Sequence, residues 1–156
     1  MKTRRFVVDA SAFRRGGVSL KPEMLTLEEL LAHKRTSLPL SAEISAVDDE
    51  HILAFYYVHG FDRCIYRISE ELLVLSEMQE NELHLYDVLS TKPYNLENVM
   101  ESILPEHAER VVCHFAPKEK LKGLHVEDDP EAGWMIRPSR RMTLPEKFSF
   151  PDISKA

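Results

Sequence analysis

The sequence predicts an α+β domain with a mixed, mostly antiparallel sheet and one strand-helix-strand crossover. Three observations carry that reading. Apolar, strand-like runs recur between residues 52 and 89 with short polar connections. A capped amphipathic helix follows at residues 95–104, and a further buried run at residues 111–115 completes the crossover. At 156 residues the chain has the size of one domain. A composition of 44% hydrophobic and 29% charged residues excludes disordered and low-complexity classes.

Taken in order, Phe6 to Val8 form a short strand, and Gly16 and Gly17 break regular structure after it. Residues 1–25 read as a lead-in strand and linker, and residues 26–156 as a single domain. Thr26 with Glu29 three residues on makes a capping box for a short helix carrying Leu27, Leu30 and Leu31, which ends before Pro39. Residues 52–58, rich in aromatic and aliphatic side chains, precede Gly60 and residues 64–68, a pattern expected of a β-hairpin. Residues 72–76 and 83–89 flank the polar turn Gln79-Glu80-Asn81 and predict a second hairpin, so four strands are expected in an antiparallel meander.

Asn95 caps a helix that places Leu96, Val99, Met100 and Ile103 on one face, and Pro105 stops it. Residues 111–115 return as a strand parallel to residues 83–89. Residues 118–130 are charged and read as loop, residues 134–137 as a strand, and Phe148 and Phe150 as anchors for the C-terminal segment.

The formal net charge of −6 disfavours polyanion partners, and the basic cluster of Arg4, Arg5, Arg14 and Arg15 lacks interleaved aromatics, so no nucleic-acid partner is expected. The two cysteines, Cys64 and Cys113, sit in apolar runs and read as reduced, buried thiols. With no secretory h-region and no membrane span, the expected location is cytoplasmic. The seven histidines show no metal-ligand spacing, so no metal is expected.

His84 and His114 lie on strands expected to be parallel neighbours. On a shared sheet face they would line a pocket with side chains that exchange protons near neutral pH, although hydrogen-bonded structural histidines are the commoner outcome. Tyr86 stands beside the crossover with a phenol as its polar handle. Asp87 lies among Leu85, Val88 and Leu89, where a carboxylate requires a partner, so it reads first as a satisfied structural group and second as a base. Ser41, Ser45 and Ser76 lack a Gly-x-Ser-x-Gly setting.

From about Leu38 to Ala156 the chain resembles the C-terminal, second GNAT-like domain of bacterial two-domain proteins of the GCN5-related N-acetyltransferase superfamily. The residues carrying the resemblance are Leu38-Pro39-Leu40-Ser41, Tyr66-Arg67-Ile68, Leu83-His84-Leu85-Tyr86-Asp87-Val88, Phe115-Ala116-Pro117, Glu127-Asp128-Asp129 and residues 148–156.

The resemblance implies a fold in which two parallel strands splay to admit the pantetheine arm of acetyl-CoA, used as a substrate for acylation of an amine. It implies that Asp87, Val88, Leu89, Ser90, Thr91 and Lys92 contact the cofactor, with an oxyanion donor among the amides near Val88 or Leu89. If the chain is active, Tyr86, His84 or His114 are expected to line the acceptor cleft. The sequence departs from the family pattern in two places: the family's tyrosine acid after the opposing strand has no matching position, since Pro117 and a charged loop follow Phe115, and the loop before the helix differs. Ser90-Thr91-Lys92-Pro93-Tyr94-Asn95 has no glycine, and Pro93 offers no amide to a pyrophosphate. The reading from a different class is a non-catalytic binding module with the same fold. The partners expected are a small-molecule amine or a partner protein domain, with a homodimer through residues 52–58 as a further option.

Overall fold

The computed structural model describes residues 2–14, 20–40 and 49–133. Within them the chain forms six strands and three α-helices: β1 Lys2–Asp9, α1 Leu27–Thr36, α2 Glu50–Val58, β2 Ile65–Ser69, β3 Leu72–Gln79, β4 Glu82–Ser90, α3 Leu96–Ile103, β5 Arg110–Cys113 and β6 Leu124–Gly133. The strands make one sheet in the order β2-β3-β4-β5-β1-β6. Only β4 and β5 run parallel, and every other neighbouring pair is antiparallel. The α+β class, the mixed sheet and the β4-α3-β5 crossover are as the sequence predicts.

Local chemistry explains the well-anticipated elements. Thr26 Oγ1 accepts from the Glu29 amide at 3.3 Å while Glu29 Oε2 accepts from the Thr26 amide at 2.8 Å, the reciprocal bonds of a capping box at the start of α1. Asn95 Oδ1 accepts from the Asn98 amide at 2.9 Å and starts α3, which buries Leu96, Val99 and Met100 against the sheet. The β3-β4 hairpin turns at Glu80 and Asn81, with Glu80 at φ 55°.

Residues 52–58 correct the expectation of a strand: they lie in helix α2, so the meander has three strands instead of four. An unbroken apolar run carries no readable alternation, but Leu53, Tyr56 and Tyr57 stand at i, i+3 and i+4 and pack on one core, which is helical spacing. Gly60, at φ 118°, is the residue beyond the C-cap His59, and its amide donates to Tyr57 O at 3.3 Å, ending α2 in a left-handed conformation. Phe55 and Val58 remain exposed on the outer side of α2.

A second correction falls within residues 118–130, where β6 forms. Its apolar content is low, but backbone pairing with β1 holds it, in a register that sets Arg5 opposite Glu127 and Phe6 opposite Val126. Pro130, which has no amide to donate, lies where the β1-β6 register shifts. Residues 2–9, set apart in the sequence as a lead-in, lie between β5 and β6, with Phe6, Val7 and Val8 fully enclosed. The expected strand at residues 134–137, the aromatic anchors near the C-terminus, the glycine pair and both Ser41 and Ser45 lie outside the described residues.

Two apolar cores sandwich the sheet. Phe6, Val8, Leu83, Leu85, Val88, Val111 and Phe115 join α3 in one, and Leu30 of α1 and Leu53 of α2 join Ile65, Leu73, Leu75, Tyr86 and Leu89 in the other. The β3-β4 register shifts so that Leu75 faces Asp87 and Ser76 faces Leu85, leaving Tyr86 as an extra residue in β4. This bulge turns Tyr86 and Asp87 toward the same face. Cys64 and Cys113 are free and buried, and burial raises their thiols to about 11 and about 12.

Candidate functional site

Neighbouring strands bring His84, His114 and Tyr86 together. His84 on β4 stands in register with Glu77 of β3 and Val112 of β5. His114 follows β5, and its amide donates to Leu85 O at 2.9 Å. His84 Nδ1 and His114 Nε2 lie 2.8 Å apart, close enough to share one proton between two ring nitrogens. Such a bond needs a donor on one ring and a lone pair on the other, so charging both rings breaks it. Burial, followed by the charge of His114, lowers the His84 pKa below the ordinary imidazole value.

The Tyr86 ring stacks on His114 with centroids 4.6 Å apart and meets Phe61 at 4.8 Å. Its hydroxyl donates to Glu77 Oε2 at 3.3 Å and accepts from Gln79 Nε2 at 3.1 Å. The phenol is thereby aimed at a carboxylate. Glu82 Oε2 lies 3.5 Å from His84 Nε2, and Glu82 Oε1 lies 3.3 Å from Arg110 Nε, which makes no hydrogen bond of its own. Arg110 Nη2 in turn holds Glu127 at 3.0 Å. The constellation can pass a proton between the two imidazoles.

Asp87 is 0% exposed. Its Oδ2 accepts from Lys34 Nζ at 2.9 Å, and its Oδ1 from the Val88 amide at 2.8 Å. Lys34 also reaches Asp49 Oδ2 at 3.3 Å, so one ammonium joins α1, the start of α2 and β4. Burial pushes the Asp87 carboxyl up while Lys34 pulls it back; burial likewise opposes the Lys34 charge, but Asp87 and Asp49 together raise its pKa. The two directions bear oppositely on the pair. We take it as charged, because three close polar contacts serve those groups.

These bonds fix what the cofactor-assigned segment offers. The Val88 amide, one of the expected oxyanion donors, is occupied by Asp87. Val88 and Leu89 face opposite cores. Ser90 Oγ donates to Lys92 O at 2.7 Å, and the Ser90 carbonyl accepts from the Leu38 amide at 2.7 Å. The Thr91 amide donates to Glu71 O at 3.2 Å, and Lys92 Nζ pairs with Glu71 at 2.6 Å.

Beside this segment lies a cavity of about 230 Å³, walled by Leu38, Leu40, Tyr94, Leu96 and Phe115, with Lys118 and Glu119 at its edge. It sits at the N-terminal end of α3, between the chain leaving β4 and the chain leaving β5. Burial raises the Tyr94 phenol pKa far above its ordinary value.

The sequence reading missed Lys34 and Asp49 as the partners of Asp87, and missed Tyr94 as a cavity wall. Lys34 had a signal: it stands four residues after Leu30, the buried position of α1, so it shares the inward face. Asp49 and Tyr94 carry no comparable local pattern. Among the described residues, no group of three or more His, Cys, Asp or Glu side chains is arranged to hold a metal ion, and no helix is long and apolar enough to cross a membrane. No protein-family model, curated protein or solved structure matches the chain.

Proposed function

We propose that this chain is a GNAT-like domain of the N-acetyltransferase class that takes the acyl-pantetheine arm of acetyl-CoA at the mouth between β4 and β5. The observation that carries this reading is the position of the 230 Å³ apolar cavity. The β4-β5 register runs from Glu82 opposite Arg110 to Leu85 opposite Cys113, while β4 continues to Ser90. The cavity lies where the two chains are no longer paired, which is where the family resemblance implies the arm. In this reading the amine approaches from the α1-α2 face of the sheet, opposite the face that holds the cavity, where the His84-His114 pair accepts its proton and Tyr86 donates one.

A specific observation favours the second reading, a non-catalytic interaction module. The loop that would grip a pyrophosphate uses its polar groups internally, as the Ser90-Lys92 bonds show, and Glu97 brings negative charge to the first turn of α3. Isothermal titration with acetyl-CoA and with CoA separates the readings. Micromolar, saturable binding that is lost on filling the cavity with Leu96→Trp, in a variant that keeps its circular dichroism, supports the acetyltransferase-class domain. Absence of heat and of any melting-temperature shift at millimolar ligand leaves the interaction module.

A further inference from the structure

Another cleft lies at the opposite end of α3 and encloses about 450 Å³, within the range of small-molecule sites. Its apolar wall is made by Met78, Leu83, Ile103 and Leu104, where the C-terminal end of α3 crosses the edge of the β3-β4 hairpin. Two hydroxyl groups line the same space, together with Glu77, Glu106 and His107. Ser76 is only 2% exposed, and its hydroxyl forms no hydrogen bond to any described residue. On β3 it alternates onto the face of Val74 and Met78, both of which belong to the α3-side core, so the hydroxyl turns inward to the cleft. The hydroxyl of the half-buried Tyr66, on the neighbouring strand, is likewise without a partner among the described residues.

Ser76 Oγ and Tyr66 Oη thus offer the cleft hydrogen-bonding capacity that no described residue uses and that a ligand can take up. The electrostatics select its sign. The C-terminal end of a helix presents carbonyl oxygens and partial negative charge. Glu106 stands at the rim just beyond that end of α3, and the whole chain carries −6. A cationic head is favoured there and an anionic one opposed.

We propose that this cleft binds a small amphipathic amine, with its apolar body against Met78, Leu83 and Ile103 and its ammonium donating toward Ser76 Oγ, Tyr66 Oη and the end of α3. The site is separate from the β4-β5 mouth, which lies beyond the N-terminal end of α3, and it stands whichever reading of that mouth holds.

Tryptamine is the probe, and indole-3-propionate, which keeps the ring and reverses the charge, is its control. Titration of the ¹⁵N-labelled full chain is expected to move the amides of Ser76, Met78, Leu83 and Ile103 saturably with tryptamine, and to show the carboxylate binding about tenfold or more weakly. Glu106→Gln, an exposed change that leaves the core intact, is expected to weaken tryptamine severalfold and to leave indole-3-propionate unchanged or tighter. Ile103→Trp, which fills the cleft, is expected to abolish the shifts. Equal binding of both probes, no saturable shift at millimolar tryptamine, or shifts confined to Leu96 and Phe115 in the other cavity each overturn the proposal.

Discussion

Replacing Lys34 with methionine is expected to destabilise the fold by about 3 kcal/mol, because a buried carboxylate deprived of its partner costs about 3–5 kcal/mol. Asp87 is 0% exposed and Asp49 is 6% exposed, and both turn to the same ammonium, at 2.9 and 3.3 Å. Methionine keeps most of the apolar stem, so the change isolates the charge. The Val88 amide at 2.8 Å still serves one Asp87 oxygen, which sets the expectation at the lower end of the range. Urea unfolding at pH 7 measures the loss directly, and a fall of about 6–12 °C in melting temperature accompanies it. The double variant Lys34→Met/Asp87→Asn removes the more deeply buried of the two carboxylate charges and recovers at least half of the loss. Burial already raises the Asp87 carboxyl above its unfolded value. In the single variant the folded state therefore binds the proton more tightly than the unfolded chain, and stability returns as pH falls from 7 toward 4. A loss below about 1 kcal/mol, with no recovery in the double variant, refutes the charged-triad reading.

Two further outcomes follow from the same geometry. The His84 pKa is lowered in the folded state, so the unfolded chain takes up this proton first as pH falls. The associated stability is complete above the ordinary imidazole value of about 6.5, is lost below it, and levels off beneath the folded pKa. The difference between wild type and His84→Phe in urea midpoints from pH 7.5 to 5 reads this slope, and a constant difference argues against it. Gly60→Ala places a side chain at φ 118° with no atom within 4 Å of the new Cβ, so strain alone acts. The expected cost is about 1 kcal/mol in urea unfolding, and a neutral result removes the left-handed stop from α2.

Helix ends were legible where side-chain chemistry marks them. Thr26 with Glu29 gave the start of α1, and Asn95 and Pro105 gave both ends of α3 nearly to the residue, because these end signals are local. The β3-β4 hairpin was legible from its polar turn. Residues 52–58 were not, since Ile52, Leu53, Ala54, Phe55, Tyr56, Tyr57 and Val58 are apolar throughout and satisfy both periods; docking of Leu53 and Tyr57 on the sheet decides for helix. β6 escaped notice because pairing with β1, a partner more than 100 residues earlier in the chain, makes it a strand, and charged residues facing Arg5 and Arg110 suit such an edge. Of the site, the meeting of His84 with His114 was readable from parallel strand order. The Asp87-Lys34 pair was not, because it joins elements 53 residues apart through one side chain.

The extra residue in β4 links these observations. Simple alternation would send Tyr86 and Asp87 to opposite faces of the sheet, placing a carboxylate in the apolar core beneath α3 or a phenol away from His114. With the bulge, both turn toward α1 and α2, where Tyr86 finds His114 and Glu77 while Asp87 finds Lys34. A bulge also bends its strand and increases its twist. The last paired residue between β4 and β5, Leu85, immediately precedes it. The residue that gathers His84, His114 and Tyr86 thus stands where β4 leaves β5, and the cavity lies beyond that point, among Tyr94, Leu96 and Phe115. The triad secures the diverging strand from the other side: Asp87, the first residue after the bulge, is the one anchored to α1. Loss of that anchor is therefore expected to loosen the mouth between the strands together with the fold, so under the proposed acetyl-CoA reading, binding at the cavity and the stability of the Lys34 variants fall in step.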